Sequence, residues 1–91
     1  MSSTQSQSVV VYTIRYCPFC EAAVQLLEQL GVQYEEKDIS GERDRRGFTA
    51  AILPGHYTAP LILVGDRPIG GYTEMMELHR RGQFLPLLSD S

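Results

Sequence analysis

The segment Cys17-Pro18-Phe19-Cys20 stands at the junction of a strand-like run and a helix-like repeat. Upstream, Ser8-Val9-Val10-Val11-Tyr12-Thr13 is continuously β-branched and aromatic after its first residue, the pattern of a buried strand. Downstream, Ala23, Leu26, Leu27 and Leu30 recur at helical spacing, with Glu21, Gln25, Glu28 and Gln29 mostly on other faces. Pro18 falls in the first helical turn, where its missing N–H has no intrahelical partner to lose. Gly31 is the expected C′ residue. A strand, a tight turn and an amphipathic helix form the first half of a βαβ unit, so the second strand should lie parallel to the first.

The rest of the chain extends this plan. Val32 to Ile39 alternates imperfectly and is acidic, which predicts an edge strand whose charges discourage stray pairing. Glu42 to Leu53 runs from polar to apolar and predicts a second helix, weakened at Gly47 by about 1 kcal/mol relative to alanine. Pro54-Gly55 ends it. Pro60 to Val64 and Arg67 to Ile69, joined by Gly65-Asp66, predict a hairpin. Pro68 cannot donate to a ladder and belongs at an edge or an end. After Gly70-Gly71, Thr73 is the expected N-cap of a third helix, with Glu74 and Glu77 facing its positive end. Arg80 and Arg81 occupy its last turn and Gly82 stops it. Phe84, Leu85, Leu87 and Leu88 supply one closing helical turn. The expected fold is an α/β domain with a small mixed sheet of four strands and helices on both faces.

Ninety-one residues, 43% of them apolar, suffice for one domain and not for two. Residues 1–8 are polar and Ser/Gln-rich and read as a flexible leader; 9–88 form the domain and 89–91 a tail. The leader lacks the basic and apolar regions of a signal peptide, and no run is long enough to cross a bilayer. A cytoplasmic protein with no membrane partner is expected. A formal net charge of −3 argues against bulk nucleic-acid binding. The one basic cluster, Arg43, Arg45 and Arg46, is either a solvated helix face or a rim that attracts anionic substrates.

The chain holds two cysteines and no others. A disulfide framework would use more of them, and a tetrahedral zinc site would need ligands that His56 and His79 are not spaced to give. No metal is expected. Cys17 would be the Ncap or N1 residue, where free N–H groups and the macrodipole favour a thiolate. The expected chemistry is attack by Cys17 on a disulfide sulfur, followed by displacement by Cys20 or by an external thiol. Two free surface thiols, or a short structural disulfide, are the plainer alternatives. Arg15 is the nearest basic residue in sequence, either a thiolate partner or a solvated loop charge. Tyr16 and Phe19 flank the pair, and Phe19 would face a disulfide-bearing partner or tuck against the core.

Taken together, Tyr12-Thr13, Cys17-Pro18-Phe19-Cys20, Thr58-Ala59-Pro60 and Ile69-Gly70-Gly71-Tyr72-Thr73-Glu74 resemble the glutaredoxins, over roughly Val9 to Leu88. The commonest family motif has Tyr where this chain has Phe19. A thioredoxin proper would show Trp before the first cysteine and Gly-Pro between the pair. The resemblance implies the thioredoxin-like glutaredoxin fold, with strand order 2-1-3-4 and the last two strands antiparallel to the first two. It implies a monomeric enzyme, holding no tightly bound cofactor, that uses glutathione as co-substrate to reduce protein disulfides and glutathionylated proteins. It also implies a cis Pro60 facing the cysteines and an Ala59 whose backbone pairs with glutathione. Gly71, Tyr72, Thr73 and Glu74 would hold the γ-glutamyl end, and Arg15, Tyr16 and Phe19 would also belong to the glutathione site.

Besides Phe19, three positions depart from the family pattern. Ala59 replaces the usual Val. Thr73 replaces the usual Asp, leaving Glu74 to supply negative charge at longer reach. Ile14 stands where the family has Lys or Arg, so Arg15, or less directly Arg45 or Arg46, would meet the glycyl carboxylate. These departures keep open an electron donor reduced by thioredoxin reductase. A further alternative is an iron–sulfur carrier, a glutathione-bridged dimer using Cys17.

Overall fold

The computed structural model describes residues 6–89. Its sheet grows outward from β1, Val9–Thr13, which pairs in parallel with β2, Glu35–Asp38, on one side and antiparallel with β3, Leu61–Val64, on the other. The hairpin partner β4, Arg67–Gly70, closes the order β2-β1-β3-β4. One expectation needs correction. β3 does run against β1, but β4 is antiparallel to β3 and so runs in the same sense as β1 and β2. A tight hairpin leaves no other choice.

All four residues of β2 are exposed, as its acidic sequence requires of an edge strand. The strand is shorter than the predicted Val32 to Ile39: Val32 instead caps the preceding helix, its N–H donating to Leu27 O at 3.0 Å. Pro68 lies on β4, the opposite edge.

Helix α1, Pro18–Gln29, and α3, Tyr72–Arg80, pack together on one face of the sheet, joined by α4, Phe84–Ser89. The core there is built from Val9 and Val11 of β1, Leu26 and Leu27 of α1, Ile62 of β3, Met75 of α3 and Phe84 of α4. Helix α2, Arg45–Ile52, covers the other face, where Phe48 meets Tyr12 edge-on with ring centroids 5.3 Å apart. The predicted start of α2 at Glu42 is too early. The carboxylate of Asp44 accepts from Gly47 N–H at 2.9 Å and fixes the N-cap there. Gly47 sits inside that cap, where an added Cβ would collide with the Asp44 side chain.

Of the expected leader, residues 1–5 lie outside the described residues, as do 90 and 91 of the tail. Ser6 and Gln7 both donate their N–H groups to Leu88 O, at 2.7 and 3.0 Å, and Ser8 O accepts from Gly65 N–H at 2.7 Å. The leader is therefore tied to the body of the domain from Ser6 onward.

Candidate active site

The turn between β1 and α1 presents the first cysteine. Cys17 is the N-cap of α1 in extended conformation, and its Sγ accepts from Cys20 N–H at 3.2 Å. A helix start thus directs a backbone donor at the sulfur, where the macrodipole also favours negative charge. On its other side the Cys17 thiol donates to Ala59 O, Sγ to O 3.8 Å, across 42 positions of sequence. Cys20 lies one turn into the helix and is 3% exposed. Burial, and next its hydrogen bond to Cys17, push the Cys20 thiol from 9.0 up to about 12. The two cysteines are thereby differentiated: Cys17 at the helix end, Cys20 beneath it as a protonated thiol.

The Ala59–Pro60 peptide is cis, as the family resemblance implied. It forms one wall of a groove of about 540 Å³. The start of α3, with Gly71, Tyr72, Thr73 and Glu74, and the Phe19 ring line the rest of it. Of the predicted site residues, Phe19, Ala59, Pro60, Gly71, Tyr72, Thr73 and Glu74 all line this groove. Phe19 is 61% exposed and leans on Tyr72, centroids 6.1 Å apart, so it faces the groove and not the core.

The predicted N-cap at Thr73 is wrong by two positions. Gly71 is the N-cap, and the Glu74 carboxylate reaches back to accept from Gly71 N–H at 2.7 Å. Gly70, at φ +119°, makes the turn that places Gly71 there, and Glu74 crowds against it. Thr73 therefore stands in the first turn with its side chain exposed on the groove. One oxygen of Glu74 is committed to the cap.

Arg15 and Tyr16 are not in the groove. They line a second depression of about 430 Å³, together with Cys20, Glu36 and Asp38. Arg15 N–H donates to Ser40 Oγ at 2.8 Å. The Asp38 carboxyl is held below its usual range, first by hydrogen bonds from Ser40 and to a lesser extent by the Arg15 charge.

Two residues that sequence reading left outside the site belong to the groove. His56 Nε2–H donates to Pro60 O at 3.1 Å, and its ring edge would be 3.3 Å from a Cβ on Gly71. Its own carbonyl accepts from the buried Thr49 hydroxyl at 2.7 Å, which anchors the loop to α2. Tyr57 also lines the groove, and the Arg46 guanidinium lies over its ring, 5.6 Å from the centroid. The basic cluster thus touches a groove residue, Tyr57, through Arg46. No local pattern announced His56, because its ring bond to Pro60 O depends on the fold of the loop between them.

A family model described as Glutaredoxin matches residues 9–69. The glutaredoxin of Vernicia fordii is 34% identical over 88 residues, covering 94% of this chain and 85% of that protein. The glutaredoxin of Solanum lycopersicum is 35% identical over 85 residues, covering 91% and 79%. Among solved structures, a buckwheat glutaredoxin–glutathione complex superposes with TM-score 0.81 at 34% identity, covering 96% of this chain and 81% of that one. Glutaredoxin from Brucella melitensis gives TM-score 0.82 at 28% identity, covering 98% and 95%. With its cysteine pair at the start of α1 and a cis proline facing it, this chain belongs to the glutaredoxin family of thiol–disulfide oxidoreductases.

Proposed function

We propose that the enzyme is glutathione-dependent, reducing protein disulfides and glutathione mixed disulfides. The observation that carries this reading is the placement of Cys17 Sγ 3.8 Å from Ala59 O, on the wall of a groove large enough for a tripeptide. A γ-glutamyl carboxylate suits the first turn of α3, where Tyr72 and Thr73 present N–H groups at the positive end of a nine-residue helix. A glycyl carboxylate suits Arg46, which already stands over the groove residue Tyr57. Arg15 faces the second depression and is the less favoured partner. Replacement of Arg46 by Ala should raise KM for a glutathione mixed disulfide about tenfold, as loss of one charged contact does. Arg15→Ala, assayed beside it, identifies the carboxylate partner by whichever substitution raises KM more.

The chemistry follows from the difference between the thiols. The Cys17 thiolate, stabilised by the Cys20 N–H, attacks the glutathione sulfur of a mixed disulfide and expels the protein thiolate. A second glutathione thiolate then attacks the bound glutathione sulfur, releasing oxidised glutathione and restoring Cys17. With a protein disulfide, Cys20 attacks Cys17 Sγ instead and closes the intramolecular bond, while its proton goes to the departing thiolate.

The test is a steady-state assay of a glutathione mixed disulfide with reduced glutathione, glutathione reductase and NADPH. Turnover should saturate with the mixed disulfide, vanish in Cys17→Ser, and persist in Cys20→Ser. Reduced, folded protein that turns over only with thioredoxin reductase and NADPH would sink the reading.

A further inference from the structure

Two depressions that share no lining residue each reach Cys17 through one residue next to it. Ala59, on the wall of the groove, accepts from its thiol. Tyr16, on the wall of the second depression, immediately precedes it in the chain. The Tyr16 ring is 94% exposed, so it packs on next to nothing in the folded chain. Its backbone is held at φ +58°, a region that bulky side chains adopt only at a cost. Asn or Gly would meet that backbone requirement better, and an exposed aromatic adds no core contact. The residue is costly to the fold on both counts, and it adjoins the reacting sulfur.

The geometry of disulfide exchange gives the ring a use. A mixed disulfide has two halves, and a C–S–S–C dihedral near 90° makes them diverge. The three sulfurs line up as the Cys17–sulfur bond forms and the substrate S–S bond breaks. On the reading proposed above, glutathione is the half that fills the groove. The polypeptide half is then directed out of it, and on the N-terminal side of Cys17 the exposed surface is Tyr16, which lines the second depression. There Glu21, Glu36 and Asp38 outnumber the single cation Arg15.

We propose that Tyr16 and the second depression dock the polypeptide half of a glutathionylated substrate, an extended segment whose modified cysteine is flanked by Lys or Arg. The basic side chains meet the three carboxylates, and the Tyr16 ring supplies an apolar or cation–π contact beside the scissile bond. The groove selects glutathione, and this second surface selects among the proteins that carry it. The proposal rests on the glutathione-dependent reading, because it assigns the groove to the other half of the same disulfide.

The experiment compares two substrates in one assay: a glutathionylated peptide with flanking lysines, and the small mixed disulfide of glutathione with 2-mercaptoethanol. The quantity read is the ratio of their kcat/KM values. Tyr16→Ala should lower that ratio about tenfold, the scale of losing one aromatic contact at an interface. Tyr16→Phe should keep it. Tyr16→Asn should raise Tm, because Asn accepts the positive φ, yet lower the ratio as Ala does; a merely structural role would not separate the two readouts. The wild type should also prefer the lysine-flanked peptide over a glutamate-flanked one, and lose the preference at high salt. A ratio within twofold of wild type in both Tyr16→Ala and Tyr16→Asn would overturn the proposal alone. A wild type inactive on both substrates would overturn the glutathione reading and this proposal with it.

Discussion

Burial raises the Cys20 thiol from 9.0 to about 12, and its hydrogen bond to Cys17 adds to the rise. A proton held more tightly in the folded chain than in the unfolded one stabilises the fold. For the reduced protein that contribution is complete below about pH 9 and is lost as the pH climbs towards about 12. Urea unfolding of the reduced enzyme at neutral pH and at about pH 11 should therefore show a larger alkaline loss of stability in wild type than in Cys20→Ser. Equal losses would mean that Cys20 is not buried as a thiol. The same asymmetry predicts that brief alkylation of the native reduced protein at neutral pH labels Cys17 alone, as read by mass. Cys17 and Cys20 differ in this way because one ends a turn and the other lies inside the first turn of α1, a difference of three residues.

At the scale of elements, the groove depends on how three separate pieces are fastened. The loop carrying Ala59 and Pro60 is tied to α2 through Thr49 and braced across itself by the His56 ring on Pro60 O, beside the start of α3. Pro60 is buried, so loss of the imidazole N–H would leave its carbonyl short of a partner, a cost of about 1–3 kcal/mol. His56→Ala should raise KM for the glutathione mixed disulfide about tenfold with a smaller change in kcat, because the wall shifts while the cysteines stay on α1. His56→Gln, which keeps a side-chain N–H, should recover most of the loss. A uniform fall in kcat with unchanged KM would place the effect on the cysteines and not on the groove. The start of α3 shows how local signals mislead. Thr73 has the chemistry of an N-cap, but Glu74 at the N3 position reaches Gly71, and this bond sets the helix start two residues earlier.

Across the whole molecule, stability rests on one modest core, and a domain of this size has only about 5–15 kcal/mol to lose. Phe84 reaches that core from α4 and is fully buried with Val11, Leu27 and Met75. Phe84→Ala should cost about 3–5 kcal/mol by urea unfolding, leaving the protein marginal or unfolded. A loss below about 1 kcal/mol would show that α4 is not part of the cooperative unit. Ser6 and Gln7 bond to Leu88 O in the same helix, so the two ends of the described chain meet on α4. The strand–cysteine–helix junction, the edge character of β2, the hairpin and the closing turn of α4 are all legible in the residues alone. These follow from periodicity, charge and turn residues acting over a few positions. The family motifs added the cis Pro60 and the two walls of the groove. The folded structure was needed to show that Arg46 stacks on the groove residue Tyr57, that Arg15 and Tyr16 line the second depression, and that His56 bonds Pro60 O. Those outcomes depend on how the loop after α2 folds back on the helix and on which side of the turn before α1 each side chain leaves, and no local pattern of residues encodes either.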